Sequence, residues 1–122
     1  MKKILIVDDQ SDICRLIEVV LSREGRAFVH AQNGEAGVAL ARSEQPDLIL
    51  MDLMMPGRLD GFQAIRAIRD DASIRQCPII AMTARQFDAK DREKAESFGV
   101  QAWLCKPFVI RELRQVVESL LS

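Results

Sequence analysis

The chain has 122 residues, 48% of them hydrophobic, with 17 basic and 18 acidic side chains and a formal net charge of −1. That is the length of one ordinary domain with apolar material for a single core, and residues 1–122 are read as one domain. The near-neutral balance argues against direct nucleic-acid binding, which calls for a basic surface, no stretch approaches the roughly 20 apolar residues of a membrane span, and Met1-Lys2-Lys3 opens no signal peptide.

The first apolar run, Ile4-Leu5-Ile6-Val7, ends on Asp8-Asp9. Ile13, Leu16, Ile17, Val20 and Leu21 then repeat at the spacing of a helix with one buried face. Ser11 is expected to cap its start, and Gly25 to supply a left-handed C-cap. A second run, Ala27-Phe28-Val29-His30, ends without a group suited to phosphate chemistry. A helix from about Gly34 to Glu44 follows, with Asn33 as its cap and Pro46 beyond its end. The third run, Leu48-Ile49-Leu50-Met51, ends on Asp52. Asp60 and Gln63 form a capping box for a third helix that buries Phe62, Ile65 and Ile68.

The fourth run, Ile79-Ile80-Ala81-Met82, ends on Thr83. The helix after it runs from about Asp88 to Phe98, stops at Gly99 and carries few apolar anchors. It should bury little area and shift at little cost; a solvated surface helix and a movable, partner-facing helix both fit that composition. The fifth run, Ala102-Trp103-Leu104-Cys105, ends on Lys106-Pro107. A last helix spans about Val109 to Leu121, with Leu113, Val116, Val117, Leu120 and Leu121 on one face. Cys14, Cys77 and Cys105 are odd in number and lack CxxC spacing, so they read as reduced, small core residues of a cytoplasmic protein.

Five strands alternating with five helices imply an α/β fold: a doubly wound, five-stranded parallel sheet of the flavodoxin-like (βα)5 kind. The first, third, fourth and fifth runs are apolar enough for interior strands. The second contains His30, flanked by Arg26 and Gln32, and suits an edge. The order 2-1-3-4-5 follows. Ligands of such sheets sit beyond the carboxyl ends of the strands where the order reverses. Here that point falls between Asp8-Asp9 and Asp52.

Three carboxylates gathered there repel one another by on the order of 4 kcal/mol per pair at 4 Å and an effective dielectric of 20. Mg2+ relieves this, because it prefers hard oxygen ligands and takes one or two carboxylates, waters and a phosphate. Asp9 and Asp52 are the best direct ligands, Asp8 acts directly or through water, and the backbone carbonyl of Met54 completes the protein's share. Asp52 can attack phosphorus in line and become an aspartyl phosphate. Lys106 and the Thr83 hydroxyl would hold two phosphoryl oxygens. Each residue has a plainer role available: Asp8-Asp9 as helix caps, Thr83 as a strand-end hydroxyl, Lys106 as a surface charge.

Over its whole length the chain resembles the receiver domains of two-component response regulators. The likeness rests on Ile-Leu-Ile-Val-Asp-Asp at 4–9, Met51-Asp52-Leu53-Met54-Met55-Pro56 with Asp60-Gly61, Met82-Thr83-Ala84, and Lys106-Pro107-Phe108. The resemblance implies that Asp52 accepts a phosphoryl group from a phosphohistidine on a histidine kinase or histidine phosphotransfer protein. It implies that Asp8 and Asp9 are the magnesium-binding acidic pair, that Thr83 and Lys106 are the switch hydroxyl and site lysine, and that the Lys106-Pro107 bond is cis. It further implies a switch of the surface formed by the fourth helix, fifth strand and fifth helix. Trp103 stands there at the switch-aromatic position, in place of the family's smaller Tyr or Phe. Met54 and Arg85, two beyond Asp52 and Thr83, border the family's route for hydrolytic water and would tune phosphoryl lifetime. The loop Pro56-Gly57-Arg58-Leu59-Asp60-Gly61 is one residue longer than the family's usual spacing.

Such a domain is an enzyme only in assisting its own phosphorylation and dephosphorylation. Its downstream target is a protein that the sequence does not name, and it would act as a monomer or a phosphorylation-linked dimer. Two other functions compete with this one. A pseudo-receiver that binds partners without phosphate would not need the set Asp8, Asp9, Asp52, Thr83 and Lys106. A magnesium-dependent small-molecule phosphatase would need a DxDxT motif and cap-sized loops, which are lacking, as is a P-loop. No output domain follows the last helix, so the expectation is either a stand-alone receiver or a piece of a longer regulator.

Overall fold

A computed structural model of the chain describes residues 1–55, 57, 59–83 and 89–121, with only the backbone of Arg92 and Ala95. Among the described residues five strands alternate with five helices: β1 Lys2–Val7, α1 Ser11–Leu21, β2 Arg26–Ala31, α2 Gly34–Glu44, β3 Leu48–Asp52, α3 Gly61–Arg69, β4 Ile79–Thr83, α4 Ala89–Ser97, β5 Ala102–Cys105 and α5 Ile110–Leu121. The strands form one parallel sheet in the order β2-β1-β3-β4-β5.

Successive strand residues point to opposite faces, and the alternation sorts the core into two layers. Leu5, Val7, Ile49, Met51, Ile79 and Ala81 pack with Val38 and Ala41 of α2 and Ala64, Ile65 and Ile68 of α3. Ile4, Ile6, Leu48, Leu50, Ile80 and Met82 pack with Cys14, Ile17 and Leu21 of α1 and Leu113, Val117 and Leu121 of α5. The central strands β1, β3 and β4 are therefore buried on both sides. This is why their sequences are unbroken apolar runs and not alternating ones.

The strand order is the expected one, and it leaves β2 and β5 at the two edges. β2 lies at one edge, as its polar content implies, but β5 forms the other and is not an interior strand. Its residues are half-buried apart from buried Leu104, and Cys105 is exposed, so Cys105 is no core residue. Cys77 is half-buried; only Cys14 meets the core expectation.

Local signals held where a side chain could close on its own backbone. Asn33 accepts the Ala36 amide at 2.8 Å, and Asp60 and Gln63 form the reciprocal capping box at 2.9 Å each way. They failed at α1. Gln10 is the N-cap there without a side-chain cap bond, and Ser11 is already helical. The helix ends at Leu21 with Ser22 as C-cap. Gly25, at φ 86°, serves the turn into β2 and offers its carbonyl to the Lys2 amide at 2.8 Å. Leu16, counted in the α1 stripe, is 47% exposed, and Cys14 takes the inward position.

The described side chains of α4 are exposed or half-buried, in keeping with its sparse apolar content; the expected start at Asp88 lies outside the described residues. Its far end is tied down by Arg69 of α3, whose guanidinium donates to the carbonyls of Phe98 (2.8 Å), Gly99 (3.0 Å), Arg75 (2.9 Å) and Cys77 (2.7 Å). Lys94 lies 4.5 Å from the centre of the Phe62 ring, which is half-buried rather than buried.

Candidate functional site

Strand register builds the site. Val7 pairs with Met51, so Asp8 leaves β1 beside the point where Asp52 ends β3. Asp52 pairs with Met82 and Thr83 with Cys105, which brings Thr83 and Lys106 to the same sheet edge. The Lys106 amide donates to the Thr83 carbonyl at 2.6 Å. The Lys106-Pro107 bond is cis, as the family likeness implies.

Asp8 is fully buried, Asp52 is 3% exposed and Thr83 is 4% exposed, while Asp9 is exposed. Asp8, Asp9 and Asp52 each offer a ligand atom within 4.8 Å of the others. The Lys106 ammonium bridges Asp8 Oδ2 at 2.5 Å and Asp52 Oδ2 at 3.3 Å. Asp52 Oδ1 accepts the Met54 amide at 3.1 Å, and Asp8 Oδ1 accepts the Gln10 amide at 2.9 Å. Asp8 thus does a turn residue's work and a counter-charge's work at once.

Burial raises the pKa of Asp52, and the Asp8 charge adds to this; the Met54 amide and the Lys106 ammonium pull the other way. Burial also works against the Lys106 charge, but the Asp8 and Asp52 carboxylates outweigh it and hold the ammonium above its ordinary range. The Cys14 thiol donates to the Asp8 carbonyl at 3.6 Å, and burial pushes its pKa up to about 11.

Among the described residues, three carboxylates against one ammonium leave an excess of two negative charges if all are ionised. A divalent cation balances that excess, and the all-oxygen donor set suits Mg2+. The residues present therefore fit the ion that the sequence suggests.

Met54 is 58% exposed, at the rim of the site. Trp103 of β5 is half-buried and packs against the core layer shared with α2 and α3. Arg85 and Arg58 lie outside the described residues.

Two residues support the site from outside it: Gly61, known from the sequence only as half of the Asp60-Gly61 motif, and Glu35, which the sequence did not single out. A Cβ on Gly61, the first residue of α3, would lie 2.1 Å from the Asp52 carbonyl oxygen and 2.4 Å from Leu53 Cα. Only glycine lets α3 start directly against the main chain of Asp52. Glu35 of α2 accepts the Leu59 amide at 2.7 Å across 24 residues of sequence. An Asp-Gly pair is at least a turn signal; nothing local marks Glu35.

Comparison with known proteins agrees with this fold. The family model of the response regulator receiver domain matches residues 4–118. The chain is 37% identical over 122 residues to Protein PilH of Pseudomonas aeruginosa, covering 100% of this chain and 99% of PilH. It is 40% identical over 119 residues to the transcriptional regulatory protein ResD of Bacillus subtilis, covering 98% of this chain but only 48% of ResD, about half its length. Among solved structures, the Vibrio cholerae chemotaxis protein CheY4 superposes with a TM-score of 0.89 at 27% identity over 99% of both chains. A Francisella receiver domain superposes at 0.86, also at 27% identity, over 99% of this chain and 97% of its own. With its five-stranded order 2-1-3-4-5 and its acidic edge, the chain belongs to the response regulator receiver domain family.

Proposed function

We propose that residues 1–122 form one receiver domain whose Asp52 accepts a phosphoryl group from a phosphohistidine on a histidine kinase or histidine phosphotransfer protein. The observation that carries this is the placement of a buried Asp52 carboxylate beside Lys106 and within 4.8 Å reach of two further carboxylates. A plain structural ion pair would not gather a third acid beside the two carboxylates that Lys106 bridges.

Asp8, Asp9, Asp52 and the Met54 carbonyl would hold Mg2+. Bound there, the ion supplies positive charge against the three carboxylates and the incoming phosphoryl oxygens. In the transfer, an Asp52 oxygen forms the new O–P bond as the N–P bond of the donor breaks. The electron pair of that bond stays with the histidine nitrogen, and with the proton already on the ring's other nitrogen the donor ends as neutral imidazole. Asp52 gives up its own negative charge to the new bond, and the phosphoryl group brings its negative oxygens beyond it. Lys106, held between Asp8 and Asp52, follows that charge to a phosphoryl oxygen, and the Thr83 hydroxyl donates to another. Little else is asked of the protein, because phosphoryl transfer depends on positioning and charge. Water returns the aspartyl phosphate to aspartate, at a rate set in part by Met54 and Arg85.

Movement of Thr83 toward the phosphoryl group would be passed through Trp103 to the surface of α4, β5 and α5. The weak burial of α4 supports this, since little packing has to be broken there. Among the described residues no helix is long and apolar enough to cross a membrane; we place the domain in the cytoplasm, acting on a protein target as a monomer or phosphorylation-linked dimer.

Incubation with acetyl phosphate and Mg2+ tests the proposal. One base-labile, acid-stable phosphoryl group per chain is expected, lost in Asp52→Ala and on chelation of Mg2+. Equal labelling of Asp52→Ala and the parent would move the acceptor elsewhere. No labelling of the parent would favour the phosphate-independent interaction module.

A further inference from the structure

We propose that Glu35, on a helix that supplies none of the reacting groups, is a positioning residue for Asp52, acting by latching the β3–α3 connection to the start of α2. This rests on the phosphoacceptor role of Asp52 proposed above.

The connection leaves Asp52 and returns to it. At its start the Leu53 amide donates to the Met82 carbonyl at 2.8 Å, and the Met54 amide donates to Asp52 Oδ1 at 3.1 Å. At its end the Gly61 amide returns to the Leu53 carbonyl at 3.3 Å, with α3 pressed on the Asp52 main chain. Between these, among the described residues, Glu35 reaches in from outside: its Oε1 accepts the Leu59 amide at 2.7 Å. A carboxylate accepting a backbone amide at that length makes a strong, directional bond.

The neighbouring residue shows that the approach is tight. A Cβ on Gly34 would lie 2.4 Å from the Leu59 carbonyl oxygen and 2.8 Å from Leu59 Cβ. Two consecutive residues of α2 therefore meet Leu59 in complementary ways, Gly34 by leaving room and Glu35 by gripping the amide. Glu35 has a second reason to favour this place, since it sits in the first turn of α2, where the helix dipole favours an anion. That accounts for an acid at the helix start but not for its direction across to Leu59.

The consequence falls on Asp52. The Met54 amide orients one acceptor oxygen, and the Met54 carbonyl belongs to the proposed ion site. Both lie on the segment that Leu59 helps to fix. Freed at Leu59, the segment samples more conformations, and binding an ion or a phosphoryl group must then order it.

The test uses the full chain and three variants, each checked for folding by circular dichroism. Mg2+ binding is read by calorimetry, amide exchange at Leu59 and Met54 by NMR, and labelling by acetyl phosphate. Glu35→Ala should speed exchange at both amides and weaken Mg2+ binding about fivefold, the low end of a usual coupling between sites. Glu35→Gln, which keeps an acceptor oxygen and drops only the charge, should restore most of the affinity. Gly34→Ala leaves Glu35 in place but pushes on Leu59, and should weaken Mg2+ binding in the same direction. Should Glu35→Ala fold but bind Mg2+ and label as the parent does, the latch is overturned and the role of Asp52 stands. If Glu35→Ala fails to fold, parent-like Mg2+ binding by Gly34→Ala overturns it instead. A parent that neither binds Mg2+ nor labels overturns both.

Discussion

Replacing Asp52 by Asn should make the metal-free protein more stable. Lys106 Nζ lies 3.3 Å from Asp52 Oδ2, an attraction of about 5 kcal/mol at an effective dielectric of 20. Asp8 repels Asp52 by about 3.5 kcal/mol at the full 4.8 Å of the carboxylate cluster on the same scale. Asp9 is exposed and adds only about 1 kcal/mol at the dielectric of water. The three charges around Asp52 thus nearly cancel. What remains is the cost of keeping a carboxylate 3% exposed, which one amide bond from Met54 offsets in part. The raised pKa of Asp52, with burial as its leading cause, points the same way. Asn keeps the shape and the acceptor for Met54 without the buried charge. A gain of about 1–2 kcal/mol is expected, or a rise of about 4–8 °C in Tm for a chain of this length. Thermal and urea unfolding in EDTA would measure it. Added Mg2+ should then raise the Tm of the parent more than that of Asp52→Asn, because ligand stabilisation follows affinity for the native state. A variant less stable than the parent in EDTA would refute the charge accounting. An equal Mg2+ shift in both proteins would move the ion away from Asp52.

Gly61→Ala should cost at least about 3 kcal/mol, because the new methyl group meets the main chain of Asp52 and Leu53 and neither is the end of a flexible side chain; an unchanged urea midpoint would contradict this. Asp71 is held down at about pKa 2 by the Ser73 hydroxyl and by Arg42. A carboxylate depressed on folding stabilises above its unfolded pKa of about 3.9, and that contribution is lost as the pH falls toward the folded value. The stability advantage of the parent over Asp71→Asn should therefore shrink between pH 4 and 2, and an acid profile parallel to that of Asp71→Asn would refute the assignment. A thiol reagent at pH 8 should modify Cys105 quickly, and Cys14 and Cys77 only on unfolding, since burial pushes both of these up to about 11. Three fast equivalents from the native protein would be inconsistent with that.

The legible parts of the fold were those where one local rule acts alone. Fully apolar runs marked the doubly buried strands β1, β3 and β4, and side chains that cap their own helix marked the starts of α2 and α3. Errors arose where two structures competed for one residue. Ser11 resembles a cap, but Asp8 already closes the turn before α1 by taking the Gln10 amide, so the helix begins one residue earlier than a Ser11 cap would allow. Gly25 follows α1 at a distance suited to a C-cap, yet its left-handed backbone is used to aim the chain into β2. The composition of β5 is apolar because Leu104 and Ala102 pack on α5, and such a strand reads as interior even at an edge.

The site was legible for a different reason: a parallel sheet delivers the carboxyl ends of all its strands to one edge, so residues just past each apolar run must meet. Lys106 and Asp8 are 98 residues apart in sequence and in direct contact in space, and both could be named from their places after β5 and β1. No such rule reaches the residues that hold the connections. Glu35, Gly34 and Arg69 act on loops and helix ends, where partners depend on packing between elements and not on strand register. They divide the molecule unevenly. The connection after β3 is gripped at Leu59 and closed at Gly61, next to the acceptor. Helix α4 is gripped at Phe98 and Gly99, past its last turn, while its described side chains bury little. On the proposed reading, a charge placed on Asp52 would meet resistance beside α2 and α3 and, among the described residues, less along α4.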